Sequence, residues 1–212
     1  MKENLLRFKA NQKYIVFDYE TCDLNLASKE NKPWQLSFMV ADSRKVYEKK
    51  DYYLKWEDIN VSEDAARITG FSKATYKKRA VCPKSALQHF EKYLYDKSII
   101  PLGHNVLGFD VYIHNIHRKL CGMPSDYSYI ERIIDTNCLA KAAVEKIKNN
   151  GQSRIAWQYS LNNYIKRGLK TSLQACAKKY SIDFDPSKLH DALYDVQINY
   201  EVFKKQLWEV EV

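Results

Sequence analysis

The stretch KYIVFDYETCDL (residues 13–24) begins as an apolar strand and ends in acids. Its apolar run, residues 14–17, predicts a buried strand. Asp18 and Glu20 follow with one residue between them. Successive strand residues face opposite sides of a sheet, so these two side chains point the same way and can reach one cation. Carboxylate oxygens suit Mg²⁺ or Mn²⁺, so this is a candidate metal site, with solvated surface acids as the alternative.

Length, cysteine content and charge narrow the class of protein. The chain has 212 residues, and we expect one domain over residues 1–212 with a full core. Its five scattered cysteines contain no Cys-x-x-Cys pair, which favours a reducing, cytoplasmic location. No segment approaches the roughly 20 apolar residues of a membrane span, so we expect no membrane partner. A net charge of +8 is compatible with a polyanionic partner but does not by itself indicate one.

The order of predicted elements indicates an α/β fold. Strands are predicted at residues 34–42 and 45–55, joined by a polar turn at 42–44. Further strands are predicted at residues 98–105 and 129–135. Helices are predicted near residues 62–70, 83–96, 109–122, 136–147, 172–180 and 191–210. Three early strands followed by alternating helices and strands predict a mixed sheet covered by helices.

Residues 146–170 differ in composition from the rest of the chain. They are basic and polar, and they are interleaved with aromatic side chains. We interpret them as a long loop or an inserted helical excursion. Cations for phosphates and aromatic rings for bases are typical of single-strand-binding surfaces, which makes Arg154 and Trp157 candidate substrate contacts. The alternative is a solvated loop whose aromatic side chains pack inward.

Further acids and a histidine lie near the ends of predicted elements. Asp110 begins a helix just after the His104-Asn105 turn, and His190 precedes Asp195 by five positions at the start of the last helix. Together with Asp18-x-Glu20, this order and spacing resemble the three motifs of the DEDDh 3′→5′ exonucleases. That group includes RNase T and oligoribonuclease and belongs to the ribonuclease H-like superfamily. The resemblance covers about residues 13–208.

The resemblance implies an RNase H-like fold with a mixed five-stranded sheet and hydrolysis by two divalent metal ions, Mg²⁺ or Mn²⁺. It implies that Asp18, Glu20 and Asp195 are direct metal ligands, with Asp18 shared by both ions. Asp110 is expected to act partly through a bound water. His190 is expected to be the general base, a role that suits an imidazole at neutral pH, with a capping or surface histidine as the alternative.

The resemblance also suggests substrate contacts. Thr21 and Leu24 match positions that contact the 3′-terminal nucleotide, although Leu24 can equally be a core residue. Residues 66–71, ARITGF, resemble a stretch that lines the terminal base pocket, but they carry Thr69 where the family often has His. Phe71 in this stretch can stack on a base or pack in the core. Asn105 shapes the turn before Asp110 and is also a candidate substrate contact.

Three remaining residues are interpreted as structural. Asp135 is expected to lie at a helix N-terminus and to support its neighbours rather than bind metal. His114 and His117 lie one helical turn apart, as a zinc pair could. No Cys or further His follows at a useful spacing, so we interpret both as helix-surface residues.

These observations predict a metal-dependent 3′→5′ exonuclease. Its partner would be single-stranded DNA or RNA with a free 3′ end, with DNA slightly favoured. An exoribonuclease or oligoribonuclease of the same family is an alternative. A polymerase or other replication or repair partner is expected if the protein proofreads. A non-catalytic nucleic-acid-binding module on the same fold is disfavoured, because all four acids and the histidine are retained.

Overall fold

The computed structural model describes residues 4–23 and 31–212. The strands are β1 (Lys13–Thr21), β2 (Pro33–Ala41), β3 (Val46–Leu54), β4 (Ala80–Val81), β5 (Ile99–Gly103) and β6 (Ile134–Asp135). The α-helices are α1 (Glu63–Thr69), α2 (Lys73–Arg79), α3 (Pro83–Leu94), α4 (Asp110–Leu120), α5 (Thr136–Glu145), α6 (Arg154–Asn162), α7 (Leu173–Lys179) and α8 (Ala192–Gln206). None of these helices is long and apolar enough to cross a membrane.

The strands of the described residues form one mixed sheet in the order β4-β3-β2-β1-β5-β6. β2 pairs antiparallel with β1 and with β3, whereas β5 pairs parallel with β1 and with β6. The predicted mixed α/β architecture is confirmed. The sheet has six strands rather than five, because β4 adds two residues in parallel to the end of β3. A two-residue strand is too short to show a periodic signal in sequence.

Two other elements differ from the prediction. The strand predicted at residues 129–135 is a 3₁₀ turn at Ile130–Arg132 followed by the two-residue β6. α2 was not predicted; its N-terminus is capped by Ser72, whose side chain accepts a hydrogen bond from Thr75 N. The hairpin between β2 and β3 is confirmed, and so is the helix with Ser62 as its N-cap and Gly70 as its left-handed stop.

β1 is the central strand of the apolar core, and its two faces are both covered. Ile15, Phe17 and Tyr19 belong to the cluster packed against α3 and α4, with the Phe17 and Phe90 ring centroids 5.1 Å apart. Tyr14 and Val16 belong to the cluster on the other face, packed against α5, α6 and α8. Because side chains alternate along a strand, Asp18 and Glu20 continue the face that α8 covers.

The packing of α8 on β1 determines which residue of α8 lies beside which residue of β1. The Tyr14 and Phe203 ring centroids lie 5.0 Å apart at one end of this contact. From Tyr14 to Asp18 a strand advances about 13 Å. From Phe203 back to Asp195 a helix spans about 12 Å. The two lengths match, so the start of α8 lies level with the acidic end of β1.

The segment at residues 146–170 contains the helix α6 between two loops. Trp157 and Leu161 of this helix are 3% and 1% exposed and belong to the core. Trp157 therefore does not take part in an exposed surface of cations and aromatic rings. Composition suggested such a surface because it does not show which side of a helix is buried.

The helix-surface interpretation of His114 and His117 is wrong, because both are fully buried. His114 Nε2 lies 2.9 Å from a Glu91 carboxylate oxygen, and the same oxygen accepts a hydrogen bond from Arg118. His117 Nδ1 lies 3.2 Å from the Tyr19 hydroxyl. These polar contacts join α3, α4 and β1 inside the core, and burial lowers the pKa of both imidazoles.

Substitution Gly103→Ala is expected to destabilise the fold by about 1–3 kcal/mol, the cost of overpacking a core position. A Cβ at residue 103 would lie 2.6 Å from Val106 Cβ, and Val106 is fully buried. Urea unfolding measures the change. Gly168→Ala is the control, since its Cβ would meet no atom within 4 Å and only its positive φ of 84° is strained. An equal or larger loss in the control would contradict the steric explanation.

Candidate active site

Three elements bring the predicted carboxylates together at one end of the sheet. β1 supplies Asp18 and Glu20, the first residue of α4 is Asp110, and the first turn of α8 carries Asp195. Asp110 is tied to β1 directly, because its Oδ1 accepts a hydrogen bond from Tyr19 N at 2.9 Å. Asp110 is 2% exposed, whereas the other three are partly buried.

The carboxylates are close enough to oppose one another's ionisation. Burial, followed by the charges of Asp110, Glu20 and Asp195, raises the pKa of Asp18 well above 3.8. Burial, followed by the charge of Asp195, also raises the pKa of Glu20. All these effects disfavour the charged form, so the cluster is electrostatically unfavourable when every member is ionised.

Asp110 and Asp195 are shifted in the same direction for the same leading reason. Burial raises the pKa of Asp110 to about 8, although the hydrogen bond from Tyr19 N acts against this shift. Burial raises the pKa of Asp195 to about 7, with a further rise from the neighbouring charge of Asp191. A bound cation would stabilise the ionised forms that burial disfavours.

His190 lies beside Asp195 on the loop that enters α8. Its backbone N–H donates to Asp195 Oδ2 at 3.1 Å, and its φ of 71° lies in the left-handed region. The side chain is exposed and lines the same cavity as Asp18 and Asp195. His190 and Asp195, which are five positions apart in the sequence, are therefore also neighbours in the structure.

Asp135 holds the turn that leads to Asp110. It is fully buried, and its two carboxylate oxygens accept hydrogen bonds from the backbone N–H groups of Asn105, Leu107, Asn137 and Cys138. Two of these donors belong to the turn after β5 and two to the start of α5. The prediction that Asp135 is a helix N-cap is confirmed, and the same side chain also fixes the approach to α4.

Two of the four carboxylates, those of Asp18 and Asp195, open onto a cavity of about 450 Å³. Asp18, Asp195 and His190 line it, and the remaining lining side chains include Asn105 and four residues that sequence reasoning missed. Those four are Asn137, Ser172, Leu173 and Asn199. They come from three different helices or their caps and share no local motif, so no pattern along the sequence could have grouped them.

The predicted substrate contacts fall in different places. Asn105, with a left-handed φ of 61°, lines the carboxylate cavity. Thr21 is 2% exposed, and its hydroxyl donates to Asp23 O at 2.6 Å. Phe71 is partly buried, with its ring centroid 5.0 Å from that of Trp34, in the cluster near the end of β1. Leu24 lies outside the described residues.

The structure does not place Arg154 and Trp157 at the carboxylate cavity. Trp157 lines a separate cavity of about 670 Å³ beside Lys146 and Val210. Arg154 Nη2 donates to Arg132 O at 3.1 Å, on the part-buried side of α6. Both side chains serve the packing of α6 on the domain, and neither belongs to the substrate surface proposed below.

The acids fit divalent cations by their chemistry. Asp195 Oδ1 is a buried oxygen with no hydrogen-bond partner among the described residues, and such an oxygen is available as a ligand. In the same part of the chain, no three His, Cys, Asp or Glu side chains already stand at metal-binding spacing. Hard oxygen donors in this number suit Mg²⁺ or Mn²⁺.

Comparison with known families identifies one that spans most of the chain. The family model described as exonuclease (RNase_T) matches residues 15–203. That interval contains all four predicted acids and His190. No curated protein matches the chain.

Solved structures of E. coli exonuclease I share the fold. The zinc-bound complex of that protein with single-stranded DNA has a TM-score of 0.70 and 18% identity, covering 93% of this chain and 40% of that chain. Its complex with a dT13 oligonucleotide has a TM-score of 0.71 and 18% identity, covering 92% and 41%. This chain thus spans about two-fifths of the length of these structures. The similarity agrees with the predicted RNase H-like fold.

The raised pKa of Asp110 predicts a pH-dependent stability in the metal-free protein. The folded state binds a proton that the unfolded state has released between the ordinary pKa of 3.8 and about 8. The stability that this group contributes is therefore lost as pH rises through that window. Between about pH 5 and pH 8, in EDTA, the free energy of unfolding of the wild type should fall relative to Asp110→Asn. Urea unfolding at each pH measures the difference.

Asp42→Asn is the control for this titration. Asp42 accepts several hydrogen bonds, and the one from the Tyr47 hydroxyl has the largest effect on its pKa. These hydrogen bonds lower the pKa of Asp42 to about 2, so its carboxylate is ionised throughout the range from about pH 5 to pH 8. Its substitution should shift the free energy of unfolding by a constant amount. Parallel pH profiles for the wild type and Asp110→Asn would contradict the conclusion that burial raises the pKa of Asp110 in the folded protein.

Proposed function

The chain belongs to the exonuclease family whose model matches residues 15–203, and we propose that it is a metal-dependent 3′→5′ exonuclease acting on single-stranded nucleic acid. The observation that carries the proposal is the meeting of Asp18, Glu20, Asp110 and Asp195 at one end of the sheet, with His190 on the same cavity. We further propose that residues 1–212 work as one catalytic domain.

In this proposal the four acids hold two divalent cations, Mg²⁺ or Mn²⁺. When bound, these ions supply charge neutralisation at the scissile phosphate and at the departing 3′ oxygen. Asp195 Oδ1 is buried without a hydrogen-bond partner among the described residues, which supports a ligand role. Asp110 accepts the hydrogen bond from Tyr19 N with Oδ1, which holds the carboxylate against β1 beside Asp18 and Glu20.

His190 is proposed as the general base. Its exposed imidazole lines the carboxylate cavity, where it can take the proton of an attacking water and release it to solvent. The hydrogen bond from its backbone to Asp195 keeps the loop next to the metal-binding acid. The loop therefore couples the position of the base to that of the cluster.

Single-stranded DNA is the proposed substrate, slightly favoured over RNA. The structures of E. coli exonuclease I with single-stranded DNA share this fold at 18% identity, and that similarity supports a nucleic-acid ligand without choosing the polymer. Thr21 and Phe71, both near the end of β1, are proposed to lie near the 3′-terminal nucleotide. A polymerase or repair partner would follow if the role is proofreading.

The test uses 5′-labelled single-stranded DNA, single-stranded RNA and DNA blocked by a 3′ phosphate. With Mg²⁺ or Mn²⁺, a ladder that shortens from the free 3′ end is expected, and EDTA should abolish it. His190→Ala should lower the rate constant by about 10²–10⁴-fold, the usual contribution of a general base. Asp18→Asn should abolish cleavage and also the rise in thermal midpoint that added Mn²⁺ produces by binding the folded state.

Asp64→Asn is the matched control. Asp64 is an exposed acid of α1 whose carboxylate pairs with Arg67 at 3.0 Å, so its removal changes the charge without touching the cluster. Its cleavage rate should equal that of the wild type. Retained binding of the oligonucleotides with no cleavage by the wild type would instead indicate a non-catalytic binding module.

A further inference from the structure

A second cavity adjoins the carboxylate cavity. It has a volume of about 470 Å³ and is formed by the loop before α7 and by α7 itself. Ser172, the N-cap of α7, lines both cavities, so the two are neighbours that share a wall. The first cavity is acidic, whereas the second carries two lysines, Lys170 and Lys178.

These two lysines differ from two other lysines of the same loop and helix, which are paired. Lys166 Nζ pairs with Glu145 at 2.7 Å, and Lys179 Nζ pairs with Glu209 at 2.6 Å. Within residues 4–23 and 31–212, neither Lys170 nor Lys178 has a carboxylate at ion-pair distance, and both are exposed. Their charges are therefore available to an external anion.

The wall between the cavities is held by buried contacts. The Nδ1 atom of His104 lies 2.9 Å from Thr136 Oγ1. The imidazole of His104 also forms a hydrogen bond with the backbone of Thr171. Thr136 Oγ1 in turn donates to Asn199 Oδ1 at 2.6 Å. These contacts join the end of β5, α5 and α8 to the residue that precedes Ser172. The basic cavity is thus fixed relative to the carboxylates.

We propose that the second cavity, through Lys170 and Lys178, binds a backbone phosphate of the single strand at a nucleotide beyond the scissile bond. This proposal rests on the proposed function, because its ligand is the same strand. A phosphate is the suitable ligand because the lysines are unpaired and lie beside polar groups of Thr171, Ser172 and Gln174. The carboxylates of the first cavity repel a phosphate unless cations are bound, whereas the lysines of the second cavity attract a phosphate without them.

The test compares two double variants that remove equal charge. Lys170→Gln/Lys178→Gln removes the unpaired lysines, and Lys166→Gln/Lys179→Gln removes the paired ones from the same loop and helix. Binding of a fluorescein-labelled dodecathymidylate is measured in EDTA as a function of salt, so that the readout does not require cleavage. Each single-strand phosphate contact contributes about 0.7 to the slope of log affinity against log salt.

The first variant should lower that slope by about 0.7, because one phosphate contact is lost, so between about 50 and 200 mM salt its affinity should fall about 2.6-fold less than that of the wild type. The control variant should keep the wild-type slope. An unchanged slope in the first variant, an equal decrease in the control, or no binding by the wild type would overturn the proposal.

A dinucleotide with a free 5′ hydroxyl separates this site from the catalytic one, because its only phosphate is the scissile one. Its kcat/KM should be the same for the wild type and Lys170→Gln/Lys178→Gln, whereas that of the dodecamer should fall. Equal losses for both substrates would place the lysines at the scissile phosphate and overturn the proposal. A changed salt slope without cleavage of any oligonucleotide would support the basic cavity and refute the exonuclease proposal.

Discussion

Burial of neighbouring carboxylates is the constraint on which the rest of this structure depends. Burial raises the pKa values of Asp18 and Glu20, and the charges of Asp110 and Asp195 beside them add to the cost of ionisation. Such a cluster persists only if the structure behind it is rigid. β1 provides that support, because both of its faces are covered by apolar side chains up to the residue before Asp18.

Three attachments convert this rigid strand into a site. The Tyr14–Phe203 contact sets α8 so that Asp195 lies level with Asp18. The Tyr19 N–Asp110 hydrogen bond ties the start of α4 to β1. The carboxylate of Asp135 holds the turn between β5 and α4 by its backbone N–H groups. Each attachment includes at least one residue that takes no part in the proposed chemistry, so substitutions away from the cavity are expected to reach it through these contacts.

Negative and positive side chains lie in two adjoining cavities of the site. The protein carries a net charge of +8, yet Asp18 and Asp195 line one cavity and two unpaired lysines line the next. A strand that crosses both would meet metal-neutralised carboxylates at its end and fixed cations farther along. Salt screening acts most strongly on exposed cations, so the two contacts should respond differently to ionic strength. This separation was invisible in the overall composition.

The sequence by itself determined the central strand, the hairpin, most of the helices and the five residues of the proposed chemistry, because each is signalled by local periodicity or by spacing within a motif. It missed β4, whose two residues are too few to show a period, and it predicted a strand at residues 129–135 of which only the two residues of β6 are extended. The tertiary structure alone decided that Trp157 is buried, that His114 and His117 are internal, and that Asn137, Ser172 and Asn199 meet at the cavity. Those outcomes depend on which helix faces pack together, and contacts between residues distant in sequence leave no pattern along a single chain.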